Sequence, residues 1–284
     1  MKSHAYQLVN VFAEQHFGGN PLAVFPQADG LNEQQMQRIA RQFNLSETVF
    51  VQRSDRQSAV RKLKIFTPEY EMPFAGHPTV GAAFVLHRQL GLSDNYQLQT
   101  EAGLVSLHHQ TDTITFALNN AARLRNSGLS KVDSAQILGL QQHDIAAEPV
   151  WVNTGTEQLL LQLTSAQAVA NCRINTAPFL QKAVAANGEA QLYVWFEQHN
   201  QVKVRLFFSA NGEVREDPGT GSAAANLGGW ALHSQRTPLN WQITQGDEIG
   251  RPNRLSLTVD EQQTIYVGGK VIKVGQGEFW IPED

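Results

Sequence analysis

Three side chains in this sequence are well suited to moving a proton: Glu47, His77 and Asp217. Asp217 stands just before Gly219–Ser222, where two glycines and a following alanine-rich run predict a tight loop that feeds a helix. The first turn of a helix has free backbone N–H groups, which bind carboxylates and phosphates. A pure anion site would avoid a neighbouring carboxylate. The pattern therefore indicates that Asp217 handles a proton.

Glu47 and His77 each lie where a predicted element begins or ends. Glu47 follows a predicted helix over 32–43 and precedes an apolar strand, a place where a glutamate is more often a solvated carboxylate or a partner of backbone N–H groups. Pro78 predicts a helix start, so His77 lies at the positive end of the helix dipole, which disfavours imidazolium. A histidine there can equally cap the helix or fill a polar pocket. Spacing alone leaves these alternatives open.

Composition limits the class of protein. With 284 residues the chain is long enough for one large domain or two smaller ones, and 42% apolar against 17% charged residues is typical of a folded, soluble protein. The net charge of -4 gives no basic surface for nucleic acid. A single cysteine, Cys172, excludes a disulfide framework and a cysteine metal cluster. Without an 18-residue apolar run or a signal peptide, we expect a cytoplasmic protein that has no membrane partner.

The glycine loop fits other motifs poorly. Gly219–Ala224 formally matches a dinucleotide-binding fingerprint, but Asp217 would repel a pyrophosphate and the next acidic residue downstream is Asp247, too far for the ribose. Ser222 lacks the flanking glycines of a nucleophile elbow. No metalloprotease or zinc-ribbon spacing is present. We therefore expect neither a nucleotide cofactor nor a metal.

The two halves of the chain repeat one order of predicted elements: strand, glycine loop, helix of small residues, hairpin. Gly219 follows Gly76 by 143 residues, and Thr244 follows Thr100 by 144. This spacing indicates an internal duplication that gives two similar lobes, with a polar, aperiodic stretch at 119–126 as the candidate linker. A ligand between two such lobes is the ordinary expectation.

Motifs spread along the chain resemble the phenazine-biosynthesis PhzF-like isomerase family. They are Gly19–Pro21, Asn44–Thr48, Phe66–Pro68, Gly76–Thr79, Asp217–Ala223, Gln245–Gly246 and Gly250–Pro252. The resemblance implies an α+β fold like that of diaminopimelate epimerase, with two pseudo-symmetric lobes, each a curved, mostly antiparallel sheet or barrel around a central helix. It also implies an active site in the cleft between the lobes. The epimerases use one cysteine per lobe, and Cys172 lies in neither matching loop.

The resemblance, with the spacing, suggests boundaries for the lobes. We predict an N-terminal lobe at 1–122, with the C-terminal strand 272–284 as a candidate completion, and a C-terminal lobe at 123–271. A homodimer remains open.

By resemblance, Glu47 is the acid/base carboxylate, with His77, Asp217 and Ser222 around the substrate and Gly76 making backbone contacts. We expect Thr220, Gly221 and Ser222 to hold the carboxylate of a small substrate. Glu47 in a dry cleft opposite Asp217 should have a raised pKa, from desolvation first and like charge second. The function predicted is that of a cofactor-independent isomerase that moves a proton between two carbons. The alternative is a two-lobed carboxylate-binding protein without turnover.

Overall fold

The chain forms seventeen strands and six α-helices within residues 1–119 and 121–282, the part that this computed structural model describes. It divides into two compact units, Met1–Leu118 with Val267–Asp284, and Asn119–Tyr266. None of the helices in those residues is long and apolar enough to cross a membrane.

The helices are α1 (Glu33–Phe43), α2 (Gly76–Leu90), α3 (Lys131–Leu138), α4 (Ala166–Asn171), α5 (Thr176–Lys182) and α6 (Gly221–His233). The strands are β1 (Lys2–Val11), β2 (Asn20–Phe25), β3 (Thr48–Gln52), β4 (Lys62–Phe66), β5 (Glu71–Met72), β6 (Asn95–Thr100), β7 (Gly103–Gln110), β8 (Thr113–Leu118), β9 (Arg123–Asn126), β10 (Val150–Asn153), β11 (Glu157–Gln162), β12 (Gln191–Gln198), β13 (Gln201–Ala210), β14 (Glu213–Asp217), β15 (Leu239–Gln245), β16 (Asn253–Val259) and β17 (Ile265–Ile281).

The first unit is a closed eight-stranded barrel. Its strands pair in the order β1, β2, β3, β4, β6, β7 and β8, and β17 closes the ring by pairing with both β8 and β1. Parallel contacts occur at β2–β3 and β4–β6. β17 runs antiparallel to β1 from Ile281 opposite Lys2 to Val271 opposite Val11. The last two residues of the predicted completing strand, 283 and 284, lie outside the described part of the chain.

Helix α2 is the centre of this barrel because its residues are small enough to be surrounded by strands. It contacts β1, β2, β3, β4 and β8, and nearly every residue from Gly76 to Leu86 is buried. Gly81 marks the tightest approach: a β-carbon there would lie 2.4 Å from the Leu22 side chain and 2.9 Å from that of Val11. A larger residue at this position would push the helix away from the barrel wall.

The second unit is a curved sheet around α6. Its strands pair in the order β9, β10, β11, β12, β13, β15 and β16, with β14 also on β13. Parallel contacts occur at β11–β12 and β13–β15. Helix α6 contacts β10, β11 and β16, while α3, α4 and α5 share a separate apolar cluster built around Leu138, Val169 and Phe179.

The same topology therefore occurs twice, as the fold prediction required. In each unit one pair of neighbouring strands ahead of the central helix is parallel, β2–β3 in the first unit and β11–β12 in the second, and a short strand, β5 or β14, precedes the central helix. The register differs from the predicted one. Three residues separate β5 from Gly76, and three separate β14 from Gly221, so Gly221, which lies 145 residues on, is the counterpart of Gly76. Gly219 lies inside the loop instead of at the helix start.

The predicted linker at 119–126 was wrong over its second half. Residues 123–126 form β9, which pairs antiparallel with β10 from Arg123 opposite Asn153 to Asn126 opposite Val150. The strand was not recognised because its side chains are mostly polar. Both arginines of β9 can face solvent, as charged residues of a strand at the edge of a sheet often do. Asn120 lies outside the described residues.

Candidate functional site

Glu47 owes its position to the end of helix α1. Asn32 caps the start of α1, and the chain leaves the helix through Asn44, which adopts the left-handed conformation at φ 52°. This turns the backbone into β3, an inner strand of the barrel, whose first residue follows Glu47 directly. The Glu47 side chain is only 15% exposed. The ordinary alternative, a solvated surface carboxylate, does not describe it.

His77 is the second residue of α2, and its side chain is 5% exposed. Its Nδ1 lies 3.3 Å from Glu47 Oε2 and 3.5 Å from Asn20 Nδ2. Burial lowers the pKa of His77 to about 3, so the imidazole is neutral at pH 7. A neutral imidazole and a carboxyl group at this distance can share one proton, held by either partner. The first unit thus places a carboxyl group 3.3 Å from an imidazole that stays neutral at pH 7.

The burial of neutral His77 predicts that the protein loses stability as the pH falls. The folded pKa is about 3 and the ordinary value is 6.5, so between these pH values the unfolded chain binds the proton and the folded chain does not. The free energy of unfolding therefore keeps its full value above pH 6.5. At pH 5, roughly 2 kcal/mol of it is lost. Urea unfolding at pH 7 and pH 5 measures the loss, and His77→Gln should lose less than wild type. His143→Gln, which alters an exposed histidine, is the matched control. The same pH dependence in His77→Gln and wild type would contradict this assignment.

In the second unit, Asp217 ends β14 and Thr220 precedes the first residue of α6. The Thr220 hydroxyl donates to the Asp217 carboxylate. The fully buried Gln245 side chain fastens both residues: its Nε2 donates to Asp217 O and to Thr220 Oγ1, each at 2.9 Å, and its Oε1 accepts from Thr220 N at 3.1 Å. Gly219 packs so closely on Asn253 that a β-carbon would lie 2.2 Å from Oδ1. Thr220 therefore holds the loop and Asp217 in place.

Ser222 lies in the first turn of α6, and its Oγ accepts from Gln158 Nε2 at 3.1 Å. The starts of the two central helices differ from those of α1, α3 and α4. Asn32, Ser130 and Ser165 cap those three helices, whereas Ala75 and Thr220 make no side-chain cap. Uncapped first-turn N–H groups are available to an anion. Gly76 and Gly221 each open such a helix.

The seven sequence-predicted site residues fall into two sets. Glu47, Gly76 and His77 belong to the first unit, where the carboxyl group and the imidazole are in contact. Asp217, Thr220, Gly221 and Ser222 belong to the second, on one loop and the helix turn that follows it. Within the described residues, no group of three or more His, Cys, Asp and Glu side chains is arranged to hold a metal ion.

Several neighbours of the second set were not assigned a role from sequence. Gln245 was noted only as part of a motif, and Gln158 and Asn226 not at all. Tyr193 is fully buried, and its hydroxyl has no hydrogen-bond partner among the described residues. Burial first and the Asp217 charge second raise the pKa of Tyr193. Of these residues, only Asn226 is recognisable from the sequence, because it is a polar residue in the apolar middle of the α6 sequence.

Sequence comparisons place the chain among isomerases. It is 61% identical over 279 residues to the uncharacterized isomerase PM1503 of Pasteurella multocida, which covers 98% of this chain and 95% of that protein. It is 32% identical over 288 residues to the trans-2,3-dihydro-3-hydroxyanthranilate isomerase of Pseudomonas chlororaphis, covering 96% and 98%.

A solved structure shares the fold, and a family model matches the sequence. A Bacillus anthracis phenazine biosynthesis protein of the PhzF family superposes with a TM-score of 0.85 at 24% identity, over 99% of this chain and all of that one. The model of the phenazine biosynthesis-like protein family, PhzC-PhzF, matches residues 9–277. With nearly the whole chain matched, this protein belongs to the phenazine biosynthesis-like (PhzC-PhzF) family.

Proposed function

We propose that this isomerase moves a proton between two carbons of a small carboxylate-bearing substrate, without a cofactor, and that Glu47 is the acid/base. The observation that supports this most is the contact between the largely buried Glu47 carboxyl group and a neutral imidazole, 3.3 Å apart. A positioned carboxyl group can accept a proton and return it, provided that its partner does not compete for the charge.

In the proposed reaction, Glu47 takes a proton from a carbon made acidic by the unsaturated system beside it. The C–H bond breaks, and its electron pair moves into that system. The same proton then returns from Glu47 to a second carbon, so a double bond shifts and no oxidant or reductant is needed. His77 keeps Glu47 oriented through Nδ1. We assign Asp217 to substrate orientation or to a share in the second transfer.

The carboxylate of the substrate is assigned to the start of α6. Ser222 and the N–H of Gly221 supply donors there, and Gly76 supplies the corresponding N–H at the start of α2. Helix N-termini stabilise anions through their free N–H groups and the helix dipole. The sequence predicts that Thr220 binds the substrate, but we assign it to support of the loop, because its hydroxyl donates to Asp217 and its N–H donates to Gln245.

The named relative narrows the class of substrate. The Pseudomonas chlororaphis protein is an isomerase of trans-2,3-dihydro-3-hydroxyanthranilate, a cyclic carboxylate. At 32% identity we extend only the class, a small cyclic or amino carboxylate, and not the pathway.

Deuterium uptake tests the proposal. The protein is incubated in D₂O with a panel of cyclic and amino carboxylates that includes trans-2,3-dihydro-3-hydroxyanthranilate, and each compound is followed by NMR. We expect at least one compound to gain deuterium at carbon only when protein is present, and its carboxamide to gain none. A compound that binds with no carbon-bound deuterium would favour the binding protein without turnover and count against the isomerase.

A further inference from the structure

Behind Ser222 lies a hydrogen-bond network of buried side chains that the proposed chemistry does not use. We propose that this network, made of Thr154, Gln158 and Asn226, fixes Ser222 as a hydrogen-bond donor and so makes the start of α6 selective for a carboxylate. The inference rests on the proposed function and assigns Gln158 and Asn226 as positioning residues. It follows from the direction of each hydrogen bond.

Two backbone groups set the orientation of the Asn226 amide. The N–H of Thr154 can only donate, and it lies 2.8 Å from one terminal atom of Asn226, which must therefore be the oxygen. The carbonyl of Thr156 can only accept, and it lies 2.8 Å from the other terminal atom, which must be the nitrogen. The Thr154 hydroxyl also donates to Oδ1, at 2.7 Å. Asn226 is fully buried and cannot be flipped without breaking these bonds.

The orientation of Asn226 determines that of Gln158. The second hydrogen of Asn226 Nδ2 points at Gln158, so the contacting atom of Gln158 is its oxygen. The nitrogen of Gln158 is then the atom 3.1 Å from Ser222 Oγ, and Ser222 must accept that bond. The hydroxyl hydrogen of Ser222 therefore points away from Gln158. Within residues 1–119 and 121–282, the Ser222 side chain has no other hydrogen-bond partner, so its O–H is available to an external acceptor.

The duplication shows that the fold itself does not need this network. The ends of β5 and β14 and the starts of the two central helices correspond, and the strand pairings extend this correspondence to the rest of each sheet. The equivalent pairs are Gly81 with Asn226, Leu22 with Gln158, Val11 with Thr154, and His77 with Ser222.

In the first unit the three equivalent positions are in direct apolar contact. A β-carbon on Gly81 would touch both Leu22 and Val11, the two residues that correspond to the partners of Asn226. Buried polar groups are costly unless they are fully paired. The first unit avoids that cost, because its equivalent positions hold apolar residues. The second unit has polar side chains at these positions, and they form a hydrogen-bonded chain that ends at Ser222. This difference indicates a role beyond packing.

An obligate O–H donor discriminates between ligands. It bonds a carboxylate oxygen directly, and a hydrogen bond to a charged group contributes about 1.5–3 kcal/mol. An amide N–H presented at the same place would meet a hydrogen instead of a lone pair. The network thus makes Ser222 and the free N–H groups of α6 act in the same direction, as donors to an anion.

Replacing Gln158 with glutamate tests the inference, because a carboxylate still accepts from Asn226 but now also accepts from Ser222. The Ser222 hydrogen turns inward and its oxygen faces the ligand. The probes are anthranilate, the ring carboxylate contained in the relative's substrate name, and anthranilamide, its neutral amide, with binding measured by calorimetry. We expect Gln158→Glu and Ser222→Ala each to weaken anthranilate binding by about 10–100-fold. In Gln158→Glu, anthranilamide should bind as well as in wild type or better.

The combination of variants separates this from a general charge effect. If Gln158 acts through Ser222, adding Gln158→Glu to Ser222→Ala should cost no more than a few-fold further. Gln162→Glu places the same charge on the same strand outside the network and should change binding by a few-fold at most. Fully additive losses, or equal losses for anthranilate and anthranilamide, would overturn the inference while the isomerase stands. Wild type that binds no member of the carboxylate panel overturns both.

A measurement on the unaltered protein covers the case in which a variant does not fold. Neutron diffraction from crystals exchanged into D₂O locates the deuterium atoms directly. We expect a deuterium of Gln158 between its nitrogen and Ser222 Oγ, and the Ser222 deuterium directed away from Gln158. A Ser222 deuterium that points at Gln158 would overturn the proposal.

Discussion

Glu47→Gln should lower deuterium exchange at the substrate carbon by about 10²–10⁴-fold, while ligand affinity changes by no more than a few-fold. Glutamine keeps the size of the side chain and its place beside His77 Nδ1, but it cannot take up and return a proton. A positioned general base contributes about this factor to a rate. The rate of exchange and the dissociation constant are measured on the compound that takes up deuterium with wild-type protein.

Glu101→Gln is the matched control for this substitution. Glu101 lies in the same unit, in the exposed turn between β6 and β7, so the substitution removes the same carboxyl group away from the candidate site. It should leave exchange and affinity unaltered. If exchange survives Glu47→Gln at the wild-type rate, the base must be reassigned, to Asp217 first and to His77 next.

Gly246→Ala should destabilise the protein by about 2–4 kcal/mol. Gly246 has φ +80°, a conformation that costs other residues about 1 kcal/mol or more. A β-carbon would also lie 2.3 Å from Arg251 O and 2.6 Å from Pro218 O, both backbone atoms that cannot rotate away. Relief of the second contact moves the Asp217 loop, so we expect slower deuterium exchange even where the variant is folded. Urea unfolding measures the first effect.

Gly250 provides the comparison, four residues further along the chain. Its φ is +70°, but a β-carbon there meets nothing within 4 Å. Gly250→Ala should therefore cost only the conformational part, about 1 kcal/mol, and leave exchange unchanged. Equal destabilisation by the two substitutions would mean that the contact with Pro218 contributes nothing.

The fold could be predicted where local patterns determine it. Asn32 and the periodicity behind it gave helix α1 with its cap, and the repeated order of elements gave two similar units. The register was two residues off because two glycines flank Thr220 and only the second opens a helix. Strand β9 was missed because an edge strand with two arginines has no apolar alternation to detect.

The candidate site was predictable only in part, since the environment of each residue depends on distant segments. Family resemblance pointed to Glu47 and His77, but nothing near Glu47 in sequence indicates that a helix 30 residues later buries it. Asn226 was visible as a polar residue in an apolar helix, and such a residue must find partners. Those partners, Thr154 and Gln158, are 72 and 68 residues away. Propensity and periodicity carry no information at that separation.

Strand β17 gives the two units different histories during synthesis. The first barrel pairs Lys2 with Ile281, so β1 can pair with β2 early but cannot pair with β17 until Ile281 has left the ribosome. The second unit is continuous from Asn119 to Tyr266 and can form earlier. Until then β1 remains an unpaired edge on one side, the kind of surface that associates with other chains. The half that carries Glu47 is thus the first to be made and the last to close.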